Sequence, residues 1–443
     1  MIHSTTYLNQ FYVDRHQDKK RLFYYLLFFI IYPFATFLAA LFTYRNKNSQ
    51  IVLILFTGLF GYAMIAENES LDLYRVLEMP AYYGKFKLED VFSGFLHYMF
   101  NIEIQNSTNK ILPEISDVYI STFAIMVSAF TKNGHILVFV FGLIYGYLFI
   151  NTMRKFIEHQ PLESTYSHIP IIFAAFMMPI SQLAGVRYGT ATYLFVWGVL
   201  GMIQYKKTSY LLLISLAAFV HFSFVIPSLL LLVYITFVNK IRSNFIGGFV
   251  VLYILSFFVP NLLLNLVNSF DLTFLGLGAE KIISGYTDAD INRQMSLDSL
   301  QNASWIIQIP FKLMNWFVYG VLFLRVIPYT KFYHSSYLDK IYVLALLFLI
   351  LSNISLGVSN LGTRLLMVSS IFVFYYLLLL YKENMQNNYL KYTFYLALIM
   401  GSLRIILELR FILGYLSPTF FYGSIYHILT DDSKVSLATI LFN

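Results

Sequence analysis

The sequence predicts an all-α protein that lives in a membrane. Three observations carry the prediction. The chain of 443 residues is 58% hydrophobic and 12% charged, whereas soluble domains carry about 25% charged residues. Its mean hydropathy is +0.66. Apolar runs of about 18 residues or more, long enough to cross a bilayer, recur along its length. These features imply a polytopic helical bundle of about twelve transmembrane spans, forming one transmembrane domain over residues 1–443.

Spans are expected at 22–44, 50–66, 134–152, 169–185, 187–205, 208–220, 222–238, 245–264, 304–326, 340–357, 363–381 and 392–408. The first apolar run starts near Leu22 and exceeds a signal h-region, so no cleaved signal is expected. The 208–220 segment lies at the lower limit for crossing. Segment 115–131, flanked by Glu114 and Asp117, is either a further span or a helix that re-enters from the outer side.

Short cytoplasmic loops are enriched in Lys and Arg. The loops holding Arg45/Lys47, Arg154/Lys155, Lys206/Lys207, Lys240/Arg242, Arg325/Lys331/Lys340 and Lys382/Lys391 all fall on one side if 115–131 does not cross. The outer side then receives the loops 67–133 and 264–303, the turns at Arg187 and Arg364, and the tail after 408. In that arrangement the N-terminal Arg15, Lys19, Lys20 and Arg21 run against the rule.

Composition also excludes. With no cysteine there are no disulfides and no thiolate-bound metal. The net charge of +7 is spread over helix ends, with no basic cluster for nucleic acid. The 36 Tyr and 44 Phe suit interfacial belts, and also suit stacking on sugars. No P-loop, dinucleotide-binding glycine pattern or His-Glu-x-x-His is present, which argues against ATP as the driving force. Asp288-Ala289-Asp290 has the form of a metal-holding pair. It lies in an outer loop, away from cytoplasmic nucleotide sugars, and no metal is assigned to it.

Arg187 is the most informative residue. It heads an apolar helix and follows mostly apolar sequence from Ile171 to Ala184. A cation at such depth costs about 2.5–3.5 kcal/mol, so it should face a partner, a wet cavity or an anion. Other candidates sit at the outer helix ends: Asp72, Tyr74 and Arg75 after the second span, His221 at the break before Phe222, Arg364 at the head of another span, and Arg404, Glu408 and Arg410 near the end of the last one. Arginine suits diphosphate through its planar fork of donors. Arg187 and Arg364 also lie near helix N-termini, which favour anions. His221 or Asp72 is a candidate general base for a sugar hydroxyl. Each residue has a structural alternative. The two arginines would anchor helix ends at headgroups, His221 would pack neutral in a kink, Asp72 would pair with Arg75, and Arg404 would pair with Glu408 one turn away.

Taken in order, Asp72-Leu73-Tyr74-Arg75, Gly185-Val186-Arg187 opening a span, and Leu216-Ala217-Ala218 running on to His221 and Ser223 resemble the EpsG-like branch of bacterial polysaccharide polymerases, the Wzy group. The resemblance is clearest over about 67–240. Arg187 followed ten residues later by Gly198 is similar to a periplasmic-loop motif of O-antigen polymerases, whereas Arg364 has Tyr375 in place of the matching glycine. The resemblance implies a GT-C-like fold in the inner membrane, with the active site facing the periplasm. It implies a glycosyltransferase that joins oligosaccharide units carried on undecaprenyl diphosphate, without metal, nucleotide or other cofactor. Arg187, Arg364, Arg75, Tyr74, Arg404 and Arg410 would bind substrate, and His221 and Asp72 would be catalytic. Partners would be the lipid-linked oligosaccharides, membrane lipids and a chain-length regulator, with no nucleic acid. An O-antigen ligase and a lipid-linked oligosaccharide flippase are the competing expectations.

Overall fold

The structure is a computed structural model. It describes residues 15–66, 72–100, 102, 115, 118–157, 180–238, 243–269, 305–325, 332, 335–358, 361–384, 386–433 and 435–442. Regular structure among these residues is helical, and the pair Met64 and Leu416 forms an isolated antiparallel bridge. In chain order the helices are α1 (Arg15–Ile31), α2 (Pro33–Phe42), α3 (Lys47–Tyr62), α4 (Asp72–Tyr83), α5 (Leu88–Phe100), α6 (Val118–Ser128), α7 (Gly134–Ile157), α8 (Arg187–Tyr205), α9 (Leu211–Val220) and α10 (Val225–Val238). They continue with α11 (Ser243–Ser256), α12 (Leu262–Ser269), α13 (Trp305–Val321), α14 (Ser336–Ile354), α15 (Leu361–Glu383), α16 (Asn388–Tyr415), α17 (Thr419–Tyr422), α18 (Ile425–Leu429) and α19 (Leu437–Phe442).

Among the described residues, Gly134–Phe156, Ser336–Ile354 and Leu361–Glu383 are each long and apolar enough to cross a membrane. A helix of 23 residues rises about 35 Å, which exceeds a hydrocarbon core of about 30 Å. By length and composition these helices point to a helical membrane protein. The other expected spans fall on shorter or less apolar helices, or partly outside the described residues.

Several expectations are corrected by local chemistry. The run 22–44 is two helices broken at Tyr32 and Pro33, because proline lacks an N–H and its ring clashes with the preceding turn. The run 245–264 ends its helix at Ser256, and Pro260 lies in the turn before α12. Within 67–133 the described residues hold α4, α5 and α6. Helix α4 buries Leu73, Val76 and Tyr83 while Arg75 and Glu78 stay exposed, an amphipathic pattern that its charges conceal. Helix α6 has 11 residues, about half of a crossing at 1.5 Å per residue. The first part of the 169–185 span, Asp288-Ala289-Asp290 and most of 264–303 lie outside the described residues.

The most extensive contacts are α3 with α7 and α14 with α15. Glycines allow the first. A Cβ on Gly58 would lie 2.7 Å from the Leu143 side chain, and one on Gly61 would lie 2.5 Å from the Val138 carbonyl oxygen. A Cβ on Gly142 would overlap the Thr57 carbonyl, and one on Gly146 the Thr57 hydroxyl. Small residues let backbones approach where lipid offers no hydrophobic drive for helix association. In the second pair, the Ser352 hydroxyl donates to the Gly362 carbonyl across the tight connection, at 2.7 Å. Aromatic rings join these halves through the centre. Phe195 of α8 meets Phe224 at 5.4 Å and Phe348 of α14 at 5.5 Å, and Phe348 stacks on Phe372 of α15 at 5.2 Å.

Side-chain contacts sort the charges to opposite ends of this bundle. Arg154 at the end of α7 donates to Gln50 at the start of α3. Lys155 lies 4.0 Å over the ring of Tyr205, at the end of α8. Arg325 pairs with Asp339 near the start of α14. Ser335 donates to Glu383 at the end of α15. Arg187, His221 and Arg364 occupy the other ends of α8, α9 and α15.

Gly142→Leu should prevent close approach of α3 and α7 and destabilise the fold by about 1–3 kcal/mol, the usual range for overpacking. Thermal unfolding in detergent measures it. Gly247→Leu, at a position with open space around it, should leave the midpoint unchanged.

Candidate functional site

Helix α8 begins where a six-residue 3₁₀ segment, Ile180–Gly185, delivers the chain to Val186. No side chain caps this start. The Thr190 hydroxyl instead donates back to the Val186 carbonyl at 2.8 Å. Gly189 lets the first turn rest on the Tyr145 ring, which a Cβ would approach to 2.7 Å. Helix α15 begins similarly: Gly362 passes close to the Leu356 backbone, and Thr363 and Arg364 follow in its first turn.

The third contributor is the break between α9 and α10. His221 has extended backbone there, and its side chain caps a 3₁₀ turn at Phe222–Phe224. Its Nδ1 accepts from the Ser223 backbone N–H at 3.2 Å and lies 2.8 Å from the Ser223 hydroxyl. An amide N–H can only donate, so Nδ1 carries a lone pair and the neutral ring holds its proton on Nε2. Burial first, then the positive charges of Arg364 and Arg187, push the imidazole down to about 3. The ring is therefore neutral at physiological pH and offers Nε2–H as a donor.

Tyr188 joins the three segments. Its hydroxyl donates to the Arg364 carbonyl. The Arg364 guanidinium lies 5.5 Å from the centre of its ring, close enough for cation–π attraction. The His221 ring meets it edge-on at 5.6 Å. A cavity of about 330 Å³ opens beside this junction, lined by Gln182, Gly185, Arg187, Tyr188, His221, Thr363, Arg364 and Met367. A second cavity of about 170 Å³ lies on the α4 and α6 side, with Arg75, Tyr83 and Ser121 among its lining residues. Arg187 and Gly185 line both.

The structure thus brings Arg187, Arg364 and His221 to one cavity, and Arg75 to its neighbour through Arg187. Asp72 opens α4, one turn before Arg75, and its side chain lies outside the described residues. Tyr74 is half-buried on the same helix and lines neither cavity.

Arg404 and Arg410 stand apart from both cavities. Arg410 is exposed on α16. Arg404 and Glu408 form a buried ion pair, each 4% exposed. Glu408 also accepts from the Ser181 hydroxyl at 2.6 Å. This pair pins α16 to the 3₁₀ segment that delivers Arg187. Tyr188, Gln182 and Thr363 went unremarked in the sequence, although Tyr188 and Thr363 each adjoin a flagged arginine.

The family model for EpsG matches residues 80–417. The chain belongs to the EpsG family. The matched stretch of this EpsG-family protein contains Arg187, His221, Arg364, Arg404 and Arg410, whereas Asp72, Tyr74 and Arg75 precede it. Family membership points to a polysaccharide polymerase-type role in a membrane. No curated protein and no solved structure matches the chain.

Removing one member of a buried pair leaves the other charge uncompensated, at about 3–5 kcal/mol. Glu408→Ala and Arg404→Ala should each lower the thermal midpoint sharply. The double replacement Arg404→Met with Glu408→Leu should recover most of that loss. Thermal midpoints of the two singles compared with that of the apolar double check this.

Proposed function

We propose that this protein is a glycosyltransferase that polymerises lipid-linked oligosaccharide units at the outer face of the membrane. The donor is a growing chain on undecaprenyl diphosphate, and the product is an O-antigen or similar surface polysaccharide. The observation that carries the reading is the convergence of Arg187, Arg364 and the His221 ring on one cavity of about 330 Å³. No carboxylate occurs among the described residues lining it. Two permanent cations with a neutral N–H donor suit a diphosphate better than a neutral sugar.

In this scheme Arg187 and Arg364 hold the diphosphate and stabilise the charge that develops as it leaves. The first turns of α8 and α15 add their N-terminal dipoles. His221 donates Nε2–H to a diphosphate oxygen. Asp72, one turn from Arg75 on the same face of α4, takes the proton of the acceptor hydroxyl. The departing diphosphate supplies the driving force, so neither metal nor nucleotide enters. The basic end of α7 and Arg325, just after α13, face the cytoplasm, and the cavities face the periplasm of an inner membrane. Residues 1–443 act as one transmembrane domain, with α6 as a re-entrant helix. A chain-length regulator would act on this same face.

Arg187→Ala should abolish long polysaccharide in cells lacking the native copy, leaving single-unit products. Arg187→Lys, which loses the planar fork, should recover only a small part. Normal chain lengths in the alanine variant, read on a gel, would sink the diphosphate role. The depressed imidazole gives a pH test. Because its folded pKa is lowered, the ring becomes charged only at acidity well below the working range. kcat/KM should therefore show no limb from His221 between about pH 5 and 8. A limb in that range that His221→Gln removes would contradict a neutral donor.

A further inference from the structure

We infer that the smaller cavity, on the α4 and α6 side of Arg187, is the subsite for the terminal sugar of the acceptor glycan. The inference rests on the polymerase reading above and adds to it a place for the second substrate. At about 170 Å³ the cavity is about half the size of its neighbour and suits one sugar ring rather than a diphosphate with its lipid. Its walls mix the two chemistries that a pyranose presents. Val76, Met79 and Ile120 offer apolar surface to ring C–H groups, and Arg75, Tyr83 and Ser121 offer polar groups to hydroxyls.

Ser121 is 2% exposed and lines this cavity from α6, so its hydroxyl is a polar group that a sugar hydroxyl there can bond. Tyr83 adds an aromatic wall, held edge-on by Tyr82 at 5.0 Å.

The partition between the cavities fits a transfer step. Arg187 and Gly185 are common to both, and a Cβ at Gly185 would meet nothing within 4 Å. The backbone there leaves a window. Through it the acceptor hydroxyl oxygen bonds to the anomeric carbon of the donor sugar as the bond from that carbon to the diphosphate oxygen breaks. The diphosphate leaves with the electron pair on the Arg187 and Arg364 side. The acceptor proton passes to the Asp72 carboxylate and from there to water.

The test uses the full-length protein in lipid nanodiscs. The donor is the host's own lipid-linked repeat unit, and the acceptor is the oligosaccharide released from it by mild acid. Ser121→Leu fills the cavity and should raise the acceptor KM at least tenfold, with the donor KM unchanged. Ser121→Ala should raise it about threefold to tenfold, the effect of one hydrogen bond. Arg75→Gln should raise it similarly without touching donor binding, and carries the test if the leucine variant does not fold. An unchanged acceptor KM in folded Ser121→Leu, or a donor KM that rises in step, overturns the subsite. Transfer by the wild type that Arg187→Ala abolishes upholds the polymerase reading whatever happens at Ser121. No transfer by the wild type to any acceptor overturns both.

Discussion

The site depends on one aromatic ring. Tyr188 holds three segments that are far apart in sequence, through its hydroxyl on the Arg364 carbonyl, its face under the Arg364 guanidinium and a T-shaped contact with His221. Two arginines lining one cavity repel each other, and low dielectric strengthens that repulsion. The ring quadrupole partly offsets it while exposing no competing carboxylate to the cavity. A carboxylate in that place would neutralise the arginines and occupy the position open to an anion.

Arg404 shows the opposite use of the same side chain. It is buried more deeply than Arg187, and Glu408 meets it within its own helix. The pair is a structural fastening, because Glu408 extends through Ser181 to the segment that delivers Arg187. The identity of a charged residue in an apolar run therefore says little about its role. What separates the two arginines is whether a carboxylate stands one turn away.

The sequence made helix existence and several boundaries legible. Residues 187–205 form one helix over the expected limits, because a cation at the head and Lys206 at the end mark it off from apolar neighbours. Hydropathy could not resolve the breaks at Tyr32 and Pro260, since interrupted apolar runs have the same average as unbroken ones. It also hid α4 and α5, whose charges lie on one face of an amphipathic helix. In the site, Arg187, Arg364 and His221 were legible as costly polar groups in apolar surroundings, and the structure brings them together. Tyr188 and Ser121 were not. Tyrosine is abundant here, and a serine in an apolar helix usually bonds its own backbone. Only the packing of α6 against α4 shows that Ser121 lines a cavity.

The capping role of His221 constrains how this site can vary over evolutionary time. The imidazole that faces the cavity also closes the 3₁₀ turn at Phe222–Phe224, so chemistry and backbone course are set by one residue. Side chains able to accept from a backbone N–H two positions on are few, chiefly Asn, Asp, Ser and Thr. Of these, asparagine alone keeps both an acceptor for the turn and a strong neutral N–H donor. A lineage that abandoned histidine here would have one conservative exit, and an aspartate at the same place would cap the turn while setting a negative charge against the anion that the arginines are placed to receive.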